Sequence, residues 1–137
     1  MAKYVLEFEK GGSFEIRLDE NAPVTAAAFD KFLSDREEPY QALCLQGRFS
    51  GSEMYFRADL GSTVEENNIP ADQGSVCFNP DPEWSAICIF WGPDIQRKRD
   101  HWHNHIGVIA SDLDEFEKVG IRIWQKGGEI VTLKKVE

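Results

Sequence analysis

The densest chemistry in the chain is His101-Trp102-His103-Asn104-His105, which holds all three of its histidines at a spacing of two. Residues two apart in an extended strand face the same side, so the three imidazoles would form one ridge. Such a ridge can offer nitrogen ligands to Zn²⁺ or another divalent first-row metal, with Glu53 or Asp100 completing the set. The plainer reading is that His101, His103 and His105 are ordinary hydrogen-bonding residues at a loop-to-strand transition. Beyond that divalent metal, no cofactor is expected.

A second constellation combines rings and guanidinium groups. Phe90, Trp91, Trp102, Tyr55 and Phe56 could line an apolar cavity, with Arg48, Arg57 or the run Arg97-Lys98-Arg99 supplying donors. Pockets of this make-up take small ligands, and the arginine fork suits carboxylates. The competing reading makes the rings core and the basic run a solvated loop. The expected ligand site is Arg48, Tyr55, Phe56, Trp91, Arg99, Trp102 and His103, where the loops 46–52 and 93–104 approach a barrel mouth. The expected partner is a small anionic molecule or a peptide. Ser/His/Asp and Cys/His catalysis find no support: Cys44, Cys77 and Cys88 fall in apolar strands, where a thiolate is disfavoured. No glycine-rich phosphate loop is present, because Gly11-Gly12 and Gly127-Gly128 read as hairpin turns.

The elements that must carry these residues are mostly short strands. Glu65–Gly92 organises the rest, with an approach loop, the run Ser75–Phe78, a Pro-rich reversal and the continuous apolar run Ser85–Trp91. A run of that length bounded by Pro and Gly reads as a strand buried on both faces. Lys3–Glu9 and Ser13–Asp19 alternate apolar and polar residues, and paired glycines between them make a β-hairpin. Asn21-Ala22-Pro23 opens an amphipathic helix, with Asn as cap and with Val24, Ala28 and Phe32 on its apolar stripe. Further strands are expected at Gln41–Leu45, Glu53–Arg57 and His105–Ala110. Asp112 and Glu115 form a capping box for a short helix ending at Gly120. Ile121–Gln125 and Glu129–Leu133 then read as a closing hairpin.

About nine short strands and two helices in 137 residues point to one mainly β domain over residues 1–137, a closed barrel with covering helices. Closure is the economical solution because it leaves no free sheet edge. A net charge of −9 repels a nucleic-acid backbone. No apolar run approaches the ~20 residues of a membrane span, and the opening residues do not read as a signal peptide. Free buried thiols fit a reducing cytoplasm. Nothing in the pattern fixes an oligomeric state.

The order of these elements resembles the cyclophilins. GSFEIRLDENAPVTAAAFDKFL is similar to the start of that family, Glu66-Asn67 and Gly74-Ser75 to its approach to the buried strand, and His105–Ala110 to its strand before the second helix. The resemblance implies an eight-stranded barrel and raises prolyl isomerase activity as one alternative. Where the family has Phe-His-Arg, however, this chain reads Leu45-Gln46-Gly47-Arg48, so only the arginine is carried over. The buried strand lacks the family's Gln-Phe-Phe. The chain more closely resembles small uncharacterised bacterial proteins of cyclophilin-like fold, sharing Ser50-Gly51, the Glu-Asn approach and Gly92-Pro93. That likeness implies a compact eight-stranded barrel with the helices packed against its open ends; the residues themselves favour a ligand- or peptide-binding domain without isomerase activity, with metal binding by the histidine ridge as the other alternative.

Overall fold

Alternation and reversal build a closed barrel, seen in a computed structural model that describes residues 3–48, 51–62, 64–93 and 104–136. The chain order is β1 (Lys3–Phe8), β2 (Ser13–Leu18), α1 (Pro23–Ser34), β3 (Tyr40–Gln46), β4 (Glu53–Arg57), β5 (Ser75–Asn79), β6 (Ala86–Phe90), β7 (Asn104–Ile109), α2 (Leu113–Lys126) and β8 (Glu129–Val136). Eight strands, all pairings antiparallel, close in the order β1-β2-β7-β5-β6-β4-β3-β8. No helix among the described residues is long and apolar enough to cross a membrane.

The period of two decides what lies inside. Tyr4, Leu6 and Phe8 of β1 and Phe14 and Ile16 of β2 enter the core, as their alternation requires. Met54 and Phe56 of β4, Val76 and Phe78 of β5, and Ile87 and Ile89 of β6 continue it around the wall. The opposite faces of β5 and β6 are also covered, with Cys77 and Phe90 joining Ala71 in a separate apolar cluster. All five residues of β6 are buried, so the central run does have two covered faces.

Both helices depart from expectation. The cap of α1 is Ala22, with no side-chain capping bond, rather than Asn21. Its first-turn donors are served from a distance instead: the Glu66 carboxylate accepts from Thr25 N at 2.8 Å and Val24 N at 3.3 Å. The helix buries Thr25, Phe29 and Leu33, while Val24 is half exposed, so the core stripe is turned by one residue.

Asp112 caps α2 as expected, accepting from Asp114 N and Glu115 N. The helix does not stop at Gly120. It runs through Ile121–Gln125 to Lys126, so the closing hairpin is a helix-to-strand junction at Gly127 and the strand count is eight. Phe116, Val119 and Ile123 repeat at helical spacing on its buried side. Gly120 belongs inside the helix because Trp91 lies over it: a Cβ there would stand 2.0 Å from the indole Cδ2.

Candidate functional site

A cavity of about 910 Å³ opens on the outward face of β4, β6 and β5. Strand alternation makes it: Glu53 and Tyr55 of β4 and Ala86 and Cys88 of β6 face away from the core that Met54, Phe56, Ile87 and Ile89 fill. The end of β3 adds Gln46, Gly47 and Arg48, and the reversal after β5 adds Asn79, Pro80, Asp81, Pro82 and Trp84. That reversal is tied internally, with Asp81 O accepting from Trp84 N at 2.8 Å and Ser85 N at 2.7 Å. Arg57 braces it from below, donating from Nε to Trp84 O at 3.0 Å and standing 5.9 Å from the indole centroid. The cavity is therefore a wall pocket rather than a barrel mouth.

Glu53 is the most buried charged group on this wall, only 2% exposed. Its side chain fills the space above Gly47, where a Cβ would meet Oε1 at 2.5 Å, so a larger residue there would have to displace the Glu53 side chain. Burial first, then the charge of Glu53 and a hydrogen bond to it, raise the Cys88 thiol well above its ordinary value. Cys88 stands directly opposite Cys77 across the β5–β6 pair, and the two form no disulfide. Burial likewise raises Cys44. Neither Cys44 nor Cys88 is therefore poised as a nucleophile.

Of the ligand residues expected from the sequence, the structure brings Arg48 and Tyr55 together on this wall. Phe56 turns into the core on the opposite face of β4. Trp91 packs against Gly120 of α2 with its centroid 6.2 Å from that of Trp124, away from the cavity. Arg99, Trp102 and His103, with His101 and the rest of the basic run, lie outside the described residues. Sequence reasoning assigned Glu53 to the histidine ridge rather than to this cavity, and did not single out Trp84, although both line it. The signal for Glu53 was an acid opening an apolar alternating strand.

His105 has a different setting from a ligand ridge. Its Nδ1 lies 2.9 Å from Asp19 Oδ2 and its Nε2 lies 3.1 Å from Ser75 Oγ, so both ring nitrogens are engaged. Among the described residues no group of three or more His, Cys, Asp or Glu could hold a metal. The Asp–His–Ser order was not anticipated, yet Ser75 Oγ also accepts from Asp72 N at 2.9 Å, is nearly fully buried and does not line the cavity on β4, β6 and β5. It works as an anchor for the segment before β5.

The anchor extends through neighbouring groups. Asn67 Nδ2 donates to Asp19 Oδ2 and His105 O, both at 3.0 Å, and Asn67 O accepts from His105 N at 2.9 Å. Fully buried Asn104 donates to Thr25 Oγ1 at 2.7 Å and Val64 O at 3.0 Å. Burial alone would raise the Asp19 carboxyl, but the backbone bond from Asn21, the bond and charge of His105 and the Asn67 amide together hold it below its ordinary value.

No protein-family model and no curated protein matches this chain. Solved structures do share its barrel. A structure of McbB in complex with tryptophan superposes with a TM-score of 0.77 at 18% identity over 96% of this chain. This chain spans only 44% of that protein's length. The solution structure of the hypothetical protein AF2241 from Archaeoglobus fulgidus gives a TM-score of 0.61 at 23% identity, over 96% of this chain and 92% of the other. At such identities the likeness is one of fold, and neither is described as a cyclophilin.

Proposed function

We propose that this chain is a small-ligand-binding barrel whose site is the cavity on the outward face of β4, β6 and β5, and that the ligand is a small carboxylate-bearing molecule or a peptide. One observation carries this reading: a cavity of about 910 Å³ whose wall sets the rings of Tyr55 and Trp84 beside the guanidinium-bearing Arg48. A site of that size with apolar walls and a few polar groups is the usual form of a small-molecule pocket. The tryptophan held by the McbB structure makes tryptophan and other aromatic carboxylates reasonable first probes. No cofactor and no metal is needed for such binding.

A thermal-shift screen of carboxylates and short peptides, followed by titration of intrinsic tryptophan fluorescence, tests the reading. A bound carboxylate should raise the melting temperature and perturb Trp84. Arg48→Ala and Tyr55→Ala should each weaken binding by about fivefold to tenfold, near the ~1–1.4 kcal/mol of one polar contact. No stabilising compound in the screen, or unchanged affinity in both variants, would overturn it. The reading is also one of binding without prolyl isomerase activity. In a coupled proline-peptide assay the protein should leave the rate at its uncatalysed value, and catalysis lost in Arg48→Ala would contradict it.

A further inference from the structure

On the premise that the cavity is the binding site, its lip sets a further requirement on the ligand. Trp84 lines the cavity yet keeps 49% of its surface exposed, leaving apolar ring area in water for a ligand to cover. The backbone that carries it is fixed on both sides. Before it, Asn79 Oδ1 accepts from Asp81 N at 3.1 Å and Asp81 Oδ1 accepts from Glu83 N at 2.9 Å. After it, Ala58 N donates to Ser85 O at 2.8 Å. Arg57 clamps the two carbonyls between, donating from Nη2 to Glu83 O and from Nε to Trp84 O, with its guanidinium over the indole. Ser85, with φ of 40°, is the one non-glycine residue among those described that occupies the left-handed region. Such a backbone persists only where its surroundings enforce it, and it recurs at ligand clamps. The adjoining wall carries short side chains, Ala86 opposite Arg57 and Cys88 opposite Tyr55, which leave the cavity room beside its two rings.

We propose that Trp84 is the specificity-determining residue of this cavity, that Arg57 is its positioning residue, and that the ligand carries an aromatic ring which packs on the indole. The clamp supplies pre-organisation, since a loop already held in place loses little freedom when the ligand arrives. Packed rings then contribute beyond the area they cover, whereas a saturated group of the same size gains from area alone.

The experiment titrates matched carboxylates into the full chain by calorimetry: phenylacetate beside cyclohexylacetate, and phenylpropionate beside cyclohexylpropionate. The aromatic member of each pair should bind about threefold to tenfold tighter. In Trp84→Leu that ratio should fall toward unity, and Trp84→Phe should keep most of it. Arg57→Ala should lower the ratio while leaving the saturated member's affinity unchanged, whereas an arginine that merely supported the fold would weaken both members alike. Trp84 is half exposed, so its two variants carry the test if Arg57→Ala does not fold. Equal affinities within the wild-type pairs, or a ratio unmoved in Trp84→Leu, would overturn the proposal and leave the carboxylate-binding reading intact. A ratio unmoved in a folded Arg57→Ala would overturn the role of the arginine. No binding by any carboxylate or peptide would overturn both the proposal and the reading it rests on.

Discussion

At the scale of single residues, one carboxylate does several jobs. Asp19 Oδ1 accepts from Asn21 N at 2.9 Å, while Oδ2 faces His105 Nδ1 and Asn67 Nδ2. Asp19→Asn should therefore destabilise the fold by about 1–3 kcal/mol, the cost of buried polar groups left without partners, read as a lower urea midpoint. The acid limb follows from the same contacts. A carboxyl held below its ordinary 3.8 contributes stability that is complete above that value and is lost as the pH falls through the lower native value. Asp30 adds to it in the same direction, held down first by the Tyr4 hydroxyl and then by Lys135. The urea midpoint should thus drop between about pH 5 and pH 2, and drop less in Asp19→Asn. None of this was legible beforehand, because the bonds join residues 86 and 48 positions apart in the chain. The lining of the cavity was partly legible: Tyr55 and Arg48 do line it, but Phe56 was grouped with Tyr55 although neighbours on a strand face opposite sides.

At the scale of elements, α2 is the instructive case. Ile121, Ile123 and Gln125 alternate with polar or bulky neighbours closely enough to imitate a strand, and Gly120 looks like a stop. The helix nevertheless continues, since only a residue without a side chain lets Trp91 close over it. Gly120→Ala should lower stability by about 1–3 kcal/mol through overpacking, although alanine is the better helix former, and the melting temperature reads the sign directly. The junction that follows is held by charge. Arg122 donates from Nη2 at 2.6 Å and Nε at 2.9 Å to Glu129, whose side chain is fully buried, and from Nη2 to Gly11 O at 2.9 Å. Arg122→Ala should cost about 3–5 kcal/mol by stranding that carboxylate, and Arg122→Ala with Glu129→Gln should recover part of it in chemical denaturation. Strand positions were far easier to read than this junction, because alternation of period two survives at Lys3–Phe8 and Ser13–Leu18 without help from distant packing.

For the whole molecule, closure is what matters. β1 meets β8 with Lys3 opposite Val136, so the pairing that completes the ring joins residues far apart in sequence. Folding should accordingly be slow for this size, on the millisecond-to-second scale of non-local β topologies. Closure also shields the thiols. Cys44, Cys77 and Cys88 are at most 5% exposed, so Ellman's reagent should find almost none in the native protein and three in urea. Many short strands with few candidate edges made the ring legible from sequence. The location of the cavity was not, since a mouth and a wall are lined by residues of the same kinds.

The single pleat of β4 has a further consequence. Met54 and Phe56 belong to the interior while Tyr55, between them, belongs to the cavity, and β6 divides Ile87 and Ile89 from Cys88 in the same way. The two sets share a backbone but no space. A library randomised at 55, 84 and 88 could therefore reshape the cavity wall while the interior stays as it is, which makes this barrel a natural starting scaffold for evolving small-molecule sensors.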